Sequence, residues 1–198
     1  MKVGVLSLQG DVREHVSALI ACGIDPIEVR RESELAEVDA LVLPGGESTT
    51  IAQLSEIFGI FEPIKQRIKA GMPVYGSCAG MILLADQILD AKQGQKTFGG
   101  LDITVRRNAF GRQVDSFETD ICFDDGSSDL IKAVFIRAPW VEKVGAGITV
   151  LASVDSHPVA VRSATLLATS FHPELTADHR IHRYFIEEVA KPALEKVK

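Results

Sequence analysis

Pro73-Val-Tyr-Gly-Ser-Cys-Ala-Gly80 is the stretch that decides the fold, and the apolar run Met81-Ile-Leu-Leu-Ala85 follows it directly. Glycines stand two places before and two places after Cys78, at Gly76 and Gly80. This pattern is the cysteine form of the Gly-x-Ser-x-Gly elbow, in which small residues let a strand turn sharply into a helix. The stretch therefore predicts a strand-to-helix turn that presents the thiol of Cys78.

The predicted position of Cys78 has two chemical consequences. A thiol at the first turn of a helix faces unpaired N–H groups and the positive end of the helix dipole, and both favour the thiolate. The N–H of Ala79 would also be free to bind an oxyanion. A free cysteine can instead be a small buried hydrophobic residue, so the choice depends on partners elsewhere in the chain.

Strands and helices alternate in the first half of the chain. Buried apolar runs predict strands at 3–8, 26–30, 38–43 and 72–75. Periodic apolar positions predict helices at 12–22, from Ser48 onward, and at 62–70; Val12, Val16, Leu19 and Ile20 form the apolar face of the first helix. This alternation predicts a mostly parallel sheet with helices on both faces.

The second half of the chain has a different pattern of predicted secondary structure. Short strands are predicted without long helices between them, at 101–106, 115–123, 133–136, 148–153, 158–162 and 166–171. They suggest a mixed or antiparallel extension of the sheet. A final helix is predicted at 176–194, with a buried stripe of Ile181, Phe185, Ile186 and Val189. No linker is evident, so we expect one flavodoxin-like α/β domain over residues 1–198, with 91–100 as an exposed loop.

Composition narrows the functional classes. The 198 residues are 46% hydrophobic, and 21 basic against 27 acidic residues give a net charge of −6, which argues against nucleic-acid binding. The 3 cysteines are scattered, which argues against a disulfide framework and suggests a reducing compartment. The apolar stretch at the N-terminus is too short for a signal peptide or a membrane span. We therefore expect a cytoplasmic protein that binds neither nucleic acid nor membrane.

The ends of three predicted strands carry unusual residues. Leu8 leads into Gln9-Gly10, Leu43 leads into Pro44-Gly-Gly-Glu-Ser48, and Tyr75 leads into the turn at Cys78. In an open α/β sheet, ligands bind outside the carboxyl ends of the strands. We expect these three strand ends to meet at one site.

The segment Thr169-Ser-Phe-His-Pro-Glu174 supplies a candidate base for the thiol. His172 and Glu174 are two positions apart at the end of a predicted strand, where alternate side chains share a face. A carboxylate beside an imidazole fixes its tautomer, so His172 could take the proton from Cys78. Taken alone, the same residues would also fit a surface turn with a solvated glutamate; the joint occurrence with the elbow favours catalysis.

The paired glycines of Pro44-Gly-Gly-Glu-Ser48 allow a backbone N–H to approach a ligand closely. Gly46 and Ala79 would then be the two donors of an oxyanion hole. A simple tight turn is the alternative interpretation. A phosphate-binding loop is excluded, because neither a P-loop pattern nor Gly-x-Gly-x-x-Gly occurs in the chain.

Together, these motifs resemble the triad glutamine amidotransferases, which hydrolyse glutamine to glutamate and ammonia, and more narrowly the glutaminase subunits of pyridoxal 5′-phosphate synthases. The resemblance spans almost the whole chain and implies a fold of the class I glutamine amidotransferase type. It rests on Leu8-Gln-Gly10 with Arg13-Glu-His15, Leu43-Pro-Gly-Gly-Glu-Ser-Thr-Thr50, the block Arg107 to Glu118, Phe135-Ile-Arg-Ala-Pro139 and Ser170-Phe-His-Pro-Glu-Leu175.

The resemblance implies a role for each matching residue. Cys78 would be the nucleophile, His172 the general base and then acid, and Glu174 the residue that orients His172. Gln9 would lie at the interface with the synthase subunit and help to complete the oxyanion hole. Neither a cofactor nor a metal is implied, and the partners are L-glutamine and the synthase subunit. The residues expected to bind glutamine are Gly46, Glu47, Ser48, Arg107, Ile136 and Arg137.

Two alternative functions remain open from the sequence. The chain could be a glutaminase that serves another ammonia acceptor, such as an imidazole- or purine-forming synthase. It could be a non-catalytic stress module with Cys78 as a redox sensor, although a sensor does not need an oriented base. Without the resemblance, Arg107 and Arg137 would be interpreted as solvated residues. A zinc site at His172, His179 and His182 is less consistent with their spacing than surface placement.

Overall fold

The structure, a computed structural model, describes residues 1–91, 93–107, 109 and 116–196. The described chain forms three β-sheets with helices packed around the largest of them. The strands are β1 (Val3–Leu6), β2 (Ile27–Val29), β3 (Ala40–Leu43), β4 (Val74–Ser77), β5 (Ala85–Leu89), β6 (Leu101–Arg106), β7 (Ser116–Ile121), β8 (Ile131–Ile136), β9 (Trp140–Val144), β10 (Thr149–Val154), β11 (His157–Arg162) and β12 (Leu166–Thr169). The helices are α1 (Val12–Ala21), α2 (Glu32–Glu37), α3 (Ser48–Ile57), α4 (Phe61–Lys69), α5 (Ala79–Leu84), α6 (Arg180–Tyr184) and α7 (Lys191–Glu195).

The main sheet has seven strands in the order β10-β11-β12-β4-β3-β1-β2. The neighbours from β12 to β2 pair in parallel, and β10 and β11 add an antiparallel edge. The predicted fold class, a mostly parallel sheet with an antiparallel extension, is therefore confirmed. Strand β4, which leads to Cys78, lies at the centre of this sheet.

Consecutive residues of the central strands face opposite layers of the core. In β3, Leu41 and Leu43 belong to one hydrophobic cluster, and Ala40 and Val42 belong to the other. Because side chains alternate along a strand, a strand that is apolar at every position buries both faces. This is why the strands that carry the predicted site are continuous apolar runs, and why they are held rigidly.

Two smaller sheets differ from the prediction of one extended sheet. Strands β5, β6 and β9 form a sheet of three, and β7 and β8 form a hairpin pair. Burial alternates along β6 and β8, with one face covered and the other more open. A strand with one apolar face packs as an outer layer and does not enter the centre of a parallel sheet. Helix α2 and strands β5 and β9 were not predicted from the sequence.

The final helix, predicted at 176–194, starts later than the sequence indicated. The helix begins at Arg180, where the Asp178 side chain accepts a hydrogen bond from the backbone N–H of Arg180 at 2.9 Å. This contact is an Asx turn directly before the helix, whose N-cap residue is His179. A π-helical turn over Phe185–Ala190 then separates α6 from α7. The predicted stripe of Ile181, Phe185, Ile186 and Val189 is buried.

The face of α1 also differs from the prediction. Ile20 is 58% exposed, whereas His15, Ala18 and Leu19 are buried. A polar side chain, His15, therefore replaces an apolar one on the buried face of this helix. Of the described helices, none is long and apolar enough to cross a membrane.

Candidate active site

Cys78 lies between β4 and α5 in a strained backbone conformation, with φ +47° and ψ −97°. Such values are rare for a residue with a side chain and cluster at functional sites. A Cβ added to Gly76 would lie 2.5 Å from the carbonyl carbon of Gly80, so the chain can turn here only with glycine. The Cys78 N–H donates a hydrogen bond of 2.8 Å to the carbonyl of Thr169, which ties the turn to β12.

His172 and Glu174 meet for a reason that differs from the predicted one. Strand β12 ends at Thr169, and the two residues flank Pro173 in a short 3-10 turn, Pro173–Leu175. The turn, and not the alternation of a strand, brings Nδ1 of His172 to 2.8 Å from Oε1 of Glu174. Both side chains are buried. This hydrogen bond leaves Nε2 of His172 as the nitrogen available to the thiol.

Asp11 is a second carboxylate beside His172 that the sequence analysis did not identify. Its Oδ2 lies 3.3 Å from Nδ1 of His172. Burial opposes the charged imidazole, but the hydrogen bonds to Asp11, Cys78 and Glu174 outweigh it and raise the pKa of His172 to about 12. The site therefore favours an imidazolium, which is the form that stabilises a neighbouring thiolate. The signal for Asp11 was its position directly after Gln9-Gly10, at one of the strand ends expected to converge.

The three strand ends meet at a cavity of about 410 Å³. Of the residues predicted for the site, Glu174 lies behind His172 and the others line this cavity. Asp11 and Ile82 join them. The lining consists of Gln9, Asp11, Gly46, Glu47, Ser48, Cys78, Ala79, Ile82, Arg107, Ile136, Arg137 and His172.

Gln9 is attached to the turn that carries Gly46. Its Oε1 accepts a hydrogen bond of 2.9 Å from the backbone N–H of Glu47. Gly46 has φ +149°, and a Cβ at this position would lie 2.6 Å from the same Oε1. A side chain at position 46 would therefore have to displace the Gln9 carboxamide and adopt a backbone conformation that favours glycine. The loop that follows β1 is thus linked to a candidate oxyanion donor.

One wall of the cavity is a connected set of polar side chains. Nη2 of Arg107 lies 3.1 Å from Oε1 of Glu47. Its Nη1 donates to Oε1 of Gln95 at 2.7 Å, and Nε2 of Gln95 donates to Oγ of Ser48 at 3.0 Å. Glu47 also accepts from the backbone N–H of Thr50 at 2.8 Å, which caps α3. Gln95 belongs to the segment 91–100, to which the sequence analysis assigned no function.

The opposite wall comes from the end of β8. The carbonyl oxygen of Ile136 lies 4.0 Å from Sγ of Cys78, and Arg137 adopts φ +44°. Part of the nearby Arg107 to Glu118 motif, residue 108 and residues 110–115, lies outside the described residues.

Asp11, His172 and Glu174 form the group of described residues that could hold a metal ion. The ligand atoms of Asp11, His172 and Glu174 lie within 4.8 Å of one another. The imidazole is already paired with both carboxylates, through a hydrogen bond to Glu174 and an ion-pair contact of 3.3 Å to Asp11. Within the described part of the chain, neither His179 nor His182 belongs to a group that could hold a metal ion. His172 and His182 are buried, so the surface placement favoured from the sequence is wrong for both.

Known proteins are similar to this chain in sequence and in fold. Residues 5–191 match the family model described as the SNO glutamine amidotransferase family. The chain is 62% identical over 188 residues to pyridoxal 5′-phosphate synthase subunit PdxT of Parafrankia sp. (strain EAN1pec), which covers 95% of this chain and 93% of the relative. It is 60% identical over 187 residues to the PdxT subunit of Streptomyces avermitilis, which covers 94% and 93%. A solved structure, described as a glutamine amidotransferase, superimposes with a TM-score of 0.87 and 48% identity over 93% of this chain and 97% of that one.

Proposed function

The chain belongs to the SNO glutamine amidotransferase family, and we propose that it is the glutaminase subunit of a pyridoxal 5′-phosphate synthase. It hydrolyses L-glutamine to L-glutamate and ammonia. The observation that carries the chemistry is the strained Cys78 elbow in the same cavity as an imidazole held by Glu174. The relatives named as subunits of the synthase support the biological role.

The reaction begins when Sγ of Cys78 attacks the side-chain amide carbon of glutamine, with its proton held on His172. The carbonyl oxygen becomes an oxyanion, which the N–H groups of Gly46 and Ala79 stabilise. His172 then gives its proton to the departing nitrogen, so that the C–N bond breaks, ammonia leaves and a thioester remains. Water, deprotonated by the same imidazole, attacks the thioester; glutamate leaves and the thiol is restored.

Glutamine binds through its charged backbone end. The guanidinium of Arg107 or Arg137 suits the α-carboxylate, because two parallel N–H groups match two carboxylate oxygens. Glu47 suits the ammonium group. Arg107 and Glu47 are paired with each other at 3.1 Å. The wall of the cavity that the substrate contacts therefore already carries one positive and one negative charge. The cavity of about 410 Å³ accommodates a ligand of this size.

Ammonia needs an acceptor close by, because free ammonia is protonated and diffuses away. The acceptor is the synthase subunit that builds pyridoxal 5′-phosphate from a pentose phosphate and a triose phosphate. Gln9 lies on the partner side of the site, and its hydrogen bond to Glu47 gives the partner a route to the Gly46 turn. We place the complex in the cytoplasm.

An electrophilic glutamine analogue tests this assignment. It should form a covalent adduct at Cys78, detected by peptide mass spectrometry, and glutamine should compete with labelling. Cys122 is an exposed free thiol and serves as an internal control. If Cys78 were a redox-sensing thiol, glutamine would not compete with its labelling. Equal labelling of Cys122 would mean that the analogue reacts with any exposed thiol and does not report a glutamine site.

A further inference from the structure

Two buried histidines lie behind the triad, on the side away from the cavity. His15 comes from α1 and His182 from α6, and both are fully buried. Nδ1 of His15 lies 2.9 Å from Nε2 of His182. Nε2 of His15 lies 3.1 Å from Oγ of Ser77 and 3.3 Å from Oε1 of Glu174. A hydrogen-bonded chain therefore runs from His182 through His15 and Ser77 to the carboxylate that holds His172.

The proton positions in this chain follow from the partners. Burial opposes the charged form of Glu174, but His15 and His172 outweigh it and lower the pKa of this carboxyl well below its usual range, so Glu174 is ionised. An ionised carboxylate can only accept hydrogen bonds, so Nε2 of His15 carries the proton that faces it. Ser77 donates its own proton to Oε1 of Glu174, so its Oγ accepts from Nε2 of His15, and Nδ1 of His15 is left to accept from Nε2 of His182.

The environment of His182 supports the same assignment. Burial lowers the pKa of His182 well below its ordinary value, so this ring is neutral. With its proton on Nε2, His182 is left with a lone pair at Nδ1, which has no partner among the described residues. The other tautomer would place an unpaired N–H in the same buried position, and orphaned buried N–H groups are rarer than unpaired acceptors.

The donors around Glu174 are unevenly distributed. Oε1 faces Nδ1 of His172, Oγ of Ser77 at 3.0 Å and Nε2 of His15. Oε2 is buried and has no hydrogen-bond partner in the described chain. The carboxylate is therefore held through the same oxygen that orients the catalytic imidazole. Packing alone would not require the buried histidines to place a donor at this oxygen.

We propose that His15, with its tautomer set by His182, is a positioning residue of the glutaminase reaction, which keeps the Glu174 carboxylate ionised and aimed at His172. His15 acts through Glu174 and does not touch the substrate. The inference rests on the proposed glutaminase function and extends it to a residue on α1.

A pair of nearly isosteric variants tests the role of the Nε2 donor. The side-chain amide of His15→Gln places an N–H close to the position of Nε2, whereas that of His15→Asn places it near Nδ1 and cannot reach Glu174. In assays with saturating synthase subunit, His15→Asn should lower kcat by about 10-fold to 100-fold and leave KM for glutamine within about twofold. His15→Gln should recover most of the lost kcat. Equal kcat for the two variants, or a loss that falls on KM, would overturn the proposal.

A measurement on the unaltered chain keeps the test independent of variant folding. In full-length protein with ¹⁵N-labelled histidine, NMR should show a proton on Nε2 of both His15 and His182, with Nδ1 of His15 as a hydrogen-bond acceptor, at about pH 7. A doubly protonated His15, or one protonated only at Nδ1, would overturn the proposal. If unaltered protein with the synthase subunit fails to release ammonia from glutamine, the proposed function fails; if it turns over and the variants match it, only the role of His15 fails.

Discussion

Nδ1 of His172 lies 3.3 Å from Oδ2 of Asp11, so a second carboxylate flanks the imidazole beside Glu174. Asp11 lines the cavity, whereas Glu174 is buried behind it. The charge on the imidazole therefore depends on a residue that a ligand in the cavity can approach.

Replacing Asp11 should lower the fraction of Cys78 that is present as the thiolate. Asp11→Asn keeps the shape of the side chain but replaces the carboxylate, whose hydrogen bond raises the pKa of His172, with a weaker neutral acceptor. A less stable imidazolium then stabilises the thiolate less. We expect iodoacetamide to alkylate Cys78 about threefold to tenfold more slowly at neutral pH. Peptide mass spectrometry gives the rate, with Cys122 as the internal reference. An unchanged ratio of the two rates would mean that Asp11 does not influence the thiol.

Protonated His172 should stabilise the fold in a defined pH range. Its pKa is about 12 in the folded protein against an ordinary 6.5. Because the folded pKa is raised, the stabilisation is complete below pH 6.5 and is lost as pH rises toward the folded pKa.

Urea denaturation of Cys78→Ala with and without His172→Gln measures this effect while excluding titration of the thiol. Asp11 and Glu174 still raise the pKa of His172 in that background. The advantage of the protein that retains His172 should shrink above about pH 6.5, by up to about 1.4 kcal/mol per pH unit. An advantage that stays constant or grows with pH would contradict the raised pKa.

Gln95 should contribute to glutamine binding. Its carboxamide joins Ser48 to Arg107 on the cavity wall, and losing both hydrogen bonds should loosen the groups expected to bind the substrate. We expect Gln95→Ala to raise KM for glutamine about 5-fold to 20-fold with little change in kcat. Lys96→Ala is the matched control, because Lys96 lies in the same loop but pairs with Glu56. The same KM increase in both variants would assign the effect to the loop as a whole.

The elbow should not tolerate a side chain at Gly80. A Cβ there would collide with the backbone carbonyl of Leu43, and backbone cannot rotate away as a side chain does. We expect Gly80→Ala to lower the free energy of unfolding by about 3 kcal/mol or more. Gly23→Ala serves as the control, since Gly23 has φ +79° and open space around it, so its cost should stay near 1 to about 2 kcal/mol. Similar losses for the two variants, measured by urea denaturation, would argue against the close approach at the elbow.

Local sequence patterns predicted the features that local physics determines. The glycine spacing around Cys78 predicted the sharp turn, and continuous apolar runs predicted the buried parallel strands. The sequence also indicated that His172 and Glu174 act together, but for a wrong reason, because a turn at Pro173 and not a strand brings them together.

Contacts between distant segments were the part that patterns could not predict. Gln95 reaches Ser48 across 47 positions, and His15 reaches His182 across 167. Neither contact leaves a periodic signal in the chain. A histidine on the buried face of α1 looks like an interruption of an apolar stripe, and only the packed structure shows that it faces the triad.

Ammonia release from glutamine, measured with and without the synthase subunit, tests the central claim most directly. We expect slow turnover by the isolated chain, marked stimulation when the synthase subunit is added, and none in the Cys78→Ala variant under either condition. Loss of one oxyanion donor typically lowers the rate by about 100-fold or more. A partner that restores the donor at the Gly46 turn could therefore stimulate turnover by a similar factor. Turnover that is unaffected by the synthase subunit, or that persists in purified Cys78→Ala, would contradict the account.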